Sequence, residues 1–141
     1  LEMINTEWFW PAAALVAWTG VVWIALYVQR IGEMRASRID AQRLYNRKAR
    51  VELLQRTSAA DNFNNLLELP MLFYVAMIFA TMLVAHDRWL LSLAWSFVGL
   101  RVVHSLIHIS YNRVMHRFSV YALGAITLFA IWLRLALLVS E

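Results

Sequence analysis

The chain has 141 residues, 62% of them hydrophobic and only 16% charged, well above the roughly 45–50% apolar content of an ordinary soluble domain. It contains no cysteine, which excludes disulfides, zinc–thiolate sites and cysteine nucleophiles. The net charge is +4, but most of the basic residues fall in one segment between apolar runs, which suits an anionic membrane surface as partner and not a nucleic acid.

In chain order, Leu1, Glu2 and Met3 read as a cloning remnant ahead of a native methionine. The apolar run that follows has no basic leader and no small-residue cleavage site, so no cleavable signal is expected. A helix needs about 20 residues to cross the hydrocarbon core, and four runs are long enough, at about 8–28, 66–85, 89–111 and 118–139. The expected fold is an all-α membrane protein, a four-transmembrane-helix bundle forming one domain over 1–141. Trp8, Trp10 and Trp89 stand at span ends, where indole rings favour the bilayer interface.

The connections differ sharply. Segment 29–65 is long and carries eight of the 13 basic residues. It has no proline between 33 and 57, and its apolar positions Ile39, Leu44, Val51 and Leu54 are one-sided. This predicts a mostly helical loop, with the first two helices projecting past the bilayer. Residues 86–88 form a tight turn, and 112–117 is short and basic. The positive-inside rule then puts the long loop and the third connection in the cytoplasm, with both termini on the opposite side.

A charge at mid-helix in lipid costs about 2.5–3.5 kcal/mol on the mildest scale, and such residues usually mark a site. On the second span Asp61, Asn65 and Glu68 are spaced i, i+4, i+7, one helical stripe, with Asn64 beside it. Pro70 follows and frees the carbonyl of Leu66. On the third span Arg101, His104, His108 and Tyr111 fall on one stripe, flanked by Ser105, and Arg117 and Tyr121 are i, i+4 at the start of the fourth. All lie toward the cytoplasmic half, so one polar site near that surface, open to lipid, is expected. Three other readings stay open on these residues. Glu68 and Arg101 neutralise each other in an interhelical clasp. His104 and His108 chelate a metal or ligate haem, although a zinc site needs a third ligand and Arg101 opposes a cation. The charged stripes line a transport path. Ordinary roles suffice elsewhere: His86 and His116 at the interface, Arg134 snorkelling to the far interface, Gly99 and Gly124 allowing close helix packing.

The stretches NNLLELP (64–70), RVVHSLIHISY (101–111) and RFSVY (117–121) resemble the signature regions of the membrane-associated proteins in eicosanoid and glutathione metabolism. The resemblance runs from about Asp61 to the end, with the four-span plan covering the rest, and is nearest to a bacterial branch. It implies a homotrimer in the bacterial inner membrane, termini periplasmic, with sites between neighbouring subunits on the cytoplasmic side. It also implies glutathione as co-substrate, no metal, and a lipophilic electrophile or lipid hydroperoxide arriving through the bilayer. By the same resemblance Asn65 and Glu68 hold glutathione, the glutamate taking its γ-glutamyl amino group. Arg101, His104 and Tyr121 are further contacts, and Arg117 stands beside the thiol sulfur. Arg30 or Arg35 fills the place of a first-helix arginine on a carboxylate. Two positions depart from the pattern: Asp61 replaces an arginine found in several members, and His108 replaces a common tyrosine, with Tyr111 near. The expected activity is that of a glutathione transferase or peroxidase; the alternative is a non-enzymatic lipid-binding or scaffold protein of the same fold.

Overall fold

The computed structural model describes residues 6–54, 58–83 and 85–140. The expected cloning remnant at Leu1–Met3 and the end of the predicted helical loop, 55–57, lie outside the described residues. Five α-helices follow a 3-10 turn at Thr6–Trp8: α1 (Phe9–Ala36), α2 (Arg47–Leu53), α3 (Ser58–Met82), α4 (Arg88–Ile109) and α5 (Val114–Ser140). All but α2 are long and apolar enough to cross a membrane, and no strand occurs among the described residues. The all-helical four-span architecture read from the sequence is the one observed.

At 28 residues, α1 is about 42 Å long against a hydrocarbon core of about 30 Å, so it overshoots. The loop is helical in pieces. After α1 the chain turns at Arg38, whose φ of 52° is a left-handed conformation. Asp40 then caps a 3-10 turn at Ala41–Leu44 by accepting the Gln42 amide. Asn46 caps α2 by accepting the Ala49 amide at 2.8 Å. Short polar side chains that compete for backbone amides end one helix and start another, and one-sided apolar spacing does not override them.

The core runs between the four long helices. Leu15 and Val22 of α1 meet Phe73, Ala76 and Ala80 of α3, Ala94 and Phe97 of α4, and Leu128 and Ile131 of α5. Phe73 and Phe97 stack with centroids 4.7 Å apart. Large apolar side chains such as Val16, Ile24, Met71 and Leu133 point outward and are exposed, as a lipid-facing surface requires. α4 packs most extensively on α5, and α1 on α3.

At the end where the α3–α4 turn lies, one sequence expectation is corrected. Trp8 is not an interfacial ring: it is fully buried and its indole N–H donates to the Ala85 carbonyl at 3.0 Å. Trp10 and Trp89 are exposed. Arg134 reaches toward this far end and meets an acid there. Its Nε and terminal nitrogen meet Asp87 Oδ2 at 2.7 and 2.6 Å, while Asp87 Oδ1 caps α4 by accepting the Leu90 amide at 2.8 Å. Burial pushes the Asp87 carboxyl up, but the Leu90 amide and Arg134 outweigh it and hold it below its ordinary range.

Candidate functional site

The opposite end of the bundle is built differently. α4 delivers Arg101, His104, Ser105 and His108 to its buried face, because i, i+3, i+4 and i+7 share one side of a helix. The chain then reverses through Asn112, whose φ of 47° is a left-handed conformation that asparagine tolerates. α5 begins at once, placing Arg117, Tyr121 and Gly124 against those residues.

The contacts are specific. Arg117 Nη1 donates to Asn112 Oδ1 at 2.9 Å and to His108 Nε2 at 3.2 Å. A guanidinium can only donate, so His108 Nε2 accepts. His104 Nδ1 lies 3.2 Å from the Arg117 carbonyl oxygen. A carbonyl can only accept, so that nitrogen carries the proton. Both histidines are therefore held around Arg117, one at its head and one at its backbone. Arg101 is 1% exposed. One terminal nitrogen donates to the Tyr121 carbonyl at 3.3 Å, and its guanidinium carbon lies 4.9 Å from the centroid of Tyr121 and 5.2 Å from that of Phe97. A methyl group at Gly124 would collide with that guanidinium. This glycine therefore makes room for Arg101 rather than for a helix backbone, and a methyl at Gly99 would meet nothing, so the close-packing role expected there is not seen within the chain.

α3 closes the site. Asn62 is fully buried and accepts from Ser105 Oγ at 3.0 Å. Asn65 joins His104, Arg117, Phe118 and Tyr121 around a cavity of about 210 Å³. Sequence reading missed Asn62 and Asn112. The signal for Asn62 was its register: it falls on the Ala59, Leu66, Phe73 stripe that faces the core, where an asparagine is out of place.

Five polar atoms here are buried with no hydrogen-bond partner: Arg101 Nε and Nη1, His104 Nε2, His108 Nδ1 and Asn62 Nδ2. Such atoms are rare, and each costs about 1–3 kcal/mol, more on a charge. The ion pairs among the described residues are Lys48–Glu52 and Asp87–Arg134. The alternative clasp between Glu68 and Arg101 is thus not formed, and among the described residues no carboxylate neutralises Arg101 or Arg117. No group of three His, Asp or Glu gathers among the described residues.

The remaining candidates lie elsewhere in the single chain. Glu68 is exposed on α3. Tyr111 is exposed, its hydroxyl 3.1 Å from His116 Nδ1. Arg35 is exposed. Arg30 and Asp61 line a second cavity, between α1, α2 and α3. Asp61, Asn65 and Glu68 therefore share a stripe but not a cavity.

Comparison with known proteins gives one match: the model of the MAPEG family covers residues 8–137. No curated protein and no solved structure matches the chain.

Proposed function

The chain belongs to the MAPEG family, and from that premise we propose that it is a membrane-embedded, glutathione-dependent transferase or peroxidase acting on lipophilic electrophiles or lipid hydroperoxides. The observation that carries this reading is the pair of guanidiniums without a carboxylate partner among the described residues: Arg117 lines a cavity that also presents Asn65, His104 and Tyr121, and Arg101 packs behind the Tyr121 ring. Glutathione carries two carboxylates and an ammonium. A site rich in arginine forks complements that anion.

Arg117 is the catalytic residue in this proposal. A thiol is a weak nucleophile until ionised, and a neighbouring cation favours the thiolate. The guanidinium stays charged and, with two acceptors fixing it, is aimed before the substrate arrives. The thiol proton passes to water. The thiolate sulfur then bonds to the electrophilic carbon as the leaving group departs, or it attacks a lipid hydroperoxide, giving the alcohol and a sulfenic acid that a second glutathione converts to disulfide and water. Asn65, Arg101, His104 and Tyr121 hold the tripeptide, and His108 positions Arg117.

A homotrimer with the site between protomers is part of the same proposal. About 210 Å³ falls short of the roughly 300–1,000 Å³ of complete small-molecule sites, as one wall of a shared site would. Glu68, exposed on a membrane-spanning helix with no ion-pair partner among the described residues, makes sense facing a neighbour and the γ-glutamyl ammonium. Arg30 or Arg35 would then reach a carboxylate from the adjacent protomer. The orientation proposed puts this end of the bundle, with its basic loop, in the cytoplasm of a bacterium.

The test is the ultraviolet thiolate absorbance on adding glutathione to purified protein, with conjugation of a generic aryl halide alongside. Wild type gives both, and Arg117→Ala loses the thiolate signal and about 100-fold or more in kcat/KM. No signal and no conjugation from wild type would leave the non-enzymatic, lipid-binding alternative.

A further inference from the structure

The larger cavity, about 440 Å³, opens between α1, α2 and α3 at the same end of the bundle and shares no lining residue with the one around Arg117. We infer that it is an anionic-phospholipid site, with Arg47 and Arg50 of α2 and Arg30 of α1 gripping the phosphate. Three features carry this.

The first is the face that α2 presents to the cavity. Arg47, Arg50, Val51 and Leu54 line the cavity, at i, i+3, i+4 and i+7, one side of the helix. Lys48 and Glu52 take the other side, pair at 3.9 Å and are 86% and 61% exposed. On that face Leu54 is buried and Arg50 half-buried, while Arg47 and Val51 are exposed at the cavity's open rim, so the two guanidiniums border an apolar floor.

The second is charge. Among the described residues Asp61 is the acid in the lining, so the three guanidiniums there exceed it by two. None of them has an ion-pair partner among the described residues. Arginine forks match phosphate oxygens bidentately.

The third is the gradient along α1. Trp23, Leu26 and Tyr27 give way to Arg30 in the same cavity wall. From Trp23 to Arg30 is about 10 Å of helix, comparable with the depth over which a bilayer passes from hydrocarbon to headgroup. A lipid lies along such a wall with its phosphate at the arginines and its upper acyl segments against the aromatic rings. A free phosphate would leave the apolar half of the wall without a partner.

The test is independent of glutathione chemistry and leaves Arg30 untouched, since that residue is also a candidate thiol-substrate contact. The detergent-solubilised full chain is offered equal amounts of short-chain phosphatidylglycerol and phosphatidylcholine, and bound lipid is counted by native mass spectrometry. Wild type retains phosphatidylglycerol selectively. The double variant R47Q/R50Q weakens that retention roughly 30-fold, and R50Q alone roughly fivefold, at about 1 kcal/mol per arginine. Lys48→Gln on the outer face changes it less than about twofold. Circular dichroism and the glutathione thiolate signal stay unchanged in all three. Equal retention of the two lipids, or a Lys48→Gln effect as large as that of R47Q/R50Q, overturns the proposal. Displacement of the lipid by inorganic phosphate identifies a free-phosphate site instead, and displacement by glutathione makes the cavity an extension of the thiol site; either result also overturns it.

Discussion

The two ends of the bundle use the same kinds of residue to opposite effect. At the end holding the α3–α4 turn, every polar side chain described above has found its complement: Trp8 on the Ala85 carbonyl, Asp87 on both the Leu90 amide and Arg134. At the other end Arg101, His104, His108 and Asn62 are buried with atoms to spare. A buried charge that is paired and capped acts as a fastener. One that is desolvated and left short of partners costs the fold energy, and a ligand is the natural source of what it lacks. An intramembrane arginine is therefore not by itself a sign of function: Arg134 and Arg101 are distinguished by their partners and not by their depth.

The strongest way to break this contrast is to remove Arg101. Arg101→Leu deletes a guanidinium with a single hydrogen bond and fills the space with carbon. Replacing a buried charge by an apolar side chain is commonly neutral or stabilising, so the thermal midpoint should hold or rise. Glutathione affinity should fall by about 10- to 100-fold, the worth of one to two charge-assisted hydrogen bonds. Isothermal titration and thermal melts read the two effects separately. A large loss of stability with unchanged affinity would make Arg101 a fastener after all.

The mirror experiment is Asp87→Ala. It removes an N-cap worth about 1 kcal/mol and leaves Arg134 facing nothing, which adds a smaller term because Arg134 is about a third exposed. The expected loss is about 2 kcal/mol of stability with kcat/KM unchanged. The pH dependence follows from the same geometry. The folded carboxyl titrates below its ordinary range, so its contribution is complete above about pH 4 and is lost as pH falls through the lower folded value. Wild type should lose stability in that acidic window, and Asp87→Ala should lose less there. A melt that is equally acid-sensitive in both would remove Asp87 from the account.

How much of this was legible in the sequence depended on whether the signal was local. The four spans were, because length and apolarity alone set them. The Arg101–His104–His108 and Arg117–Tyr121 stripes were, because helical spacing decides which side chains share a face. The break after Ala36 was also written locally, in Asp40 and Asn46 as caps, which divide a segment whose apolar spacing shows only that it is helical. Asn62 was hidden by neighbours: among Asp61, Asn64 and Asn65 it stood out only against the register of the core stripe. The Asp87–Arg134 pair joins positions 47 residues apart, and no spacing rule links a turn to the last third of a later helix. Which cavity Asp61 and Arg30 face depends on how α1, α2 and α3 pack, which no single stripe encodes.

A smaller effect is expected at Trp8. Trp8→Phe keeps most of the buried ring but removes the donor to the Ala85 carbonyl, at a cost of about 1 kcal/mol. Thiolate formation at the far end should be unchanged, and a change there would show that the two ends are coupled.

A variant with little effect on stability also separates the two ends. Gly124→Ala places a methyl against the Arg101 guanidinium. The colliding atom is the tip of a long side chain, which can yield, so the backbone need not move. Alanine also gains about 0.5–1 kcal/mol of helix preference over glycine, which offsets the repacking, and the net stability change should be close to zero. Arg101, however, is fixed between the Phe97 and Tyr121 rings and the Tyr121 carbonyl, and a displaced guanidinium loses that alignment. Glutathione affinity should therefore fall about three- to tenfold, about 1 kcal/mol, while the thermal midpoint stays put. If affinity holds while stability drops, Gly124 serves helix packing alone, and Arg101 owes its alignment to something other than the space this glycine leaves.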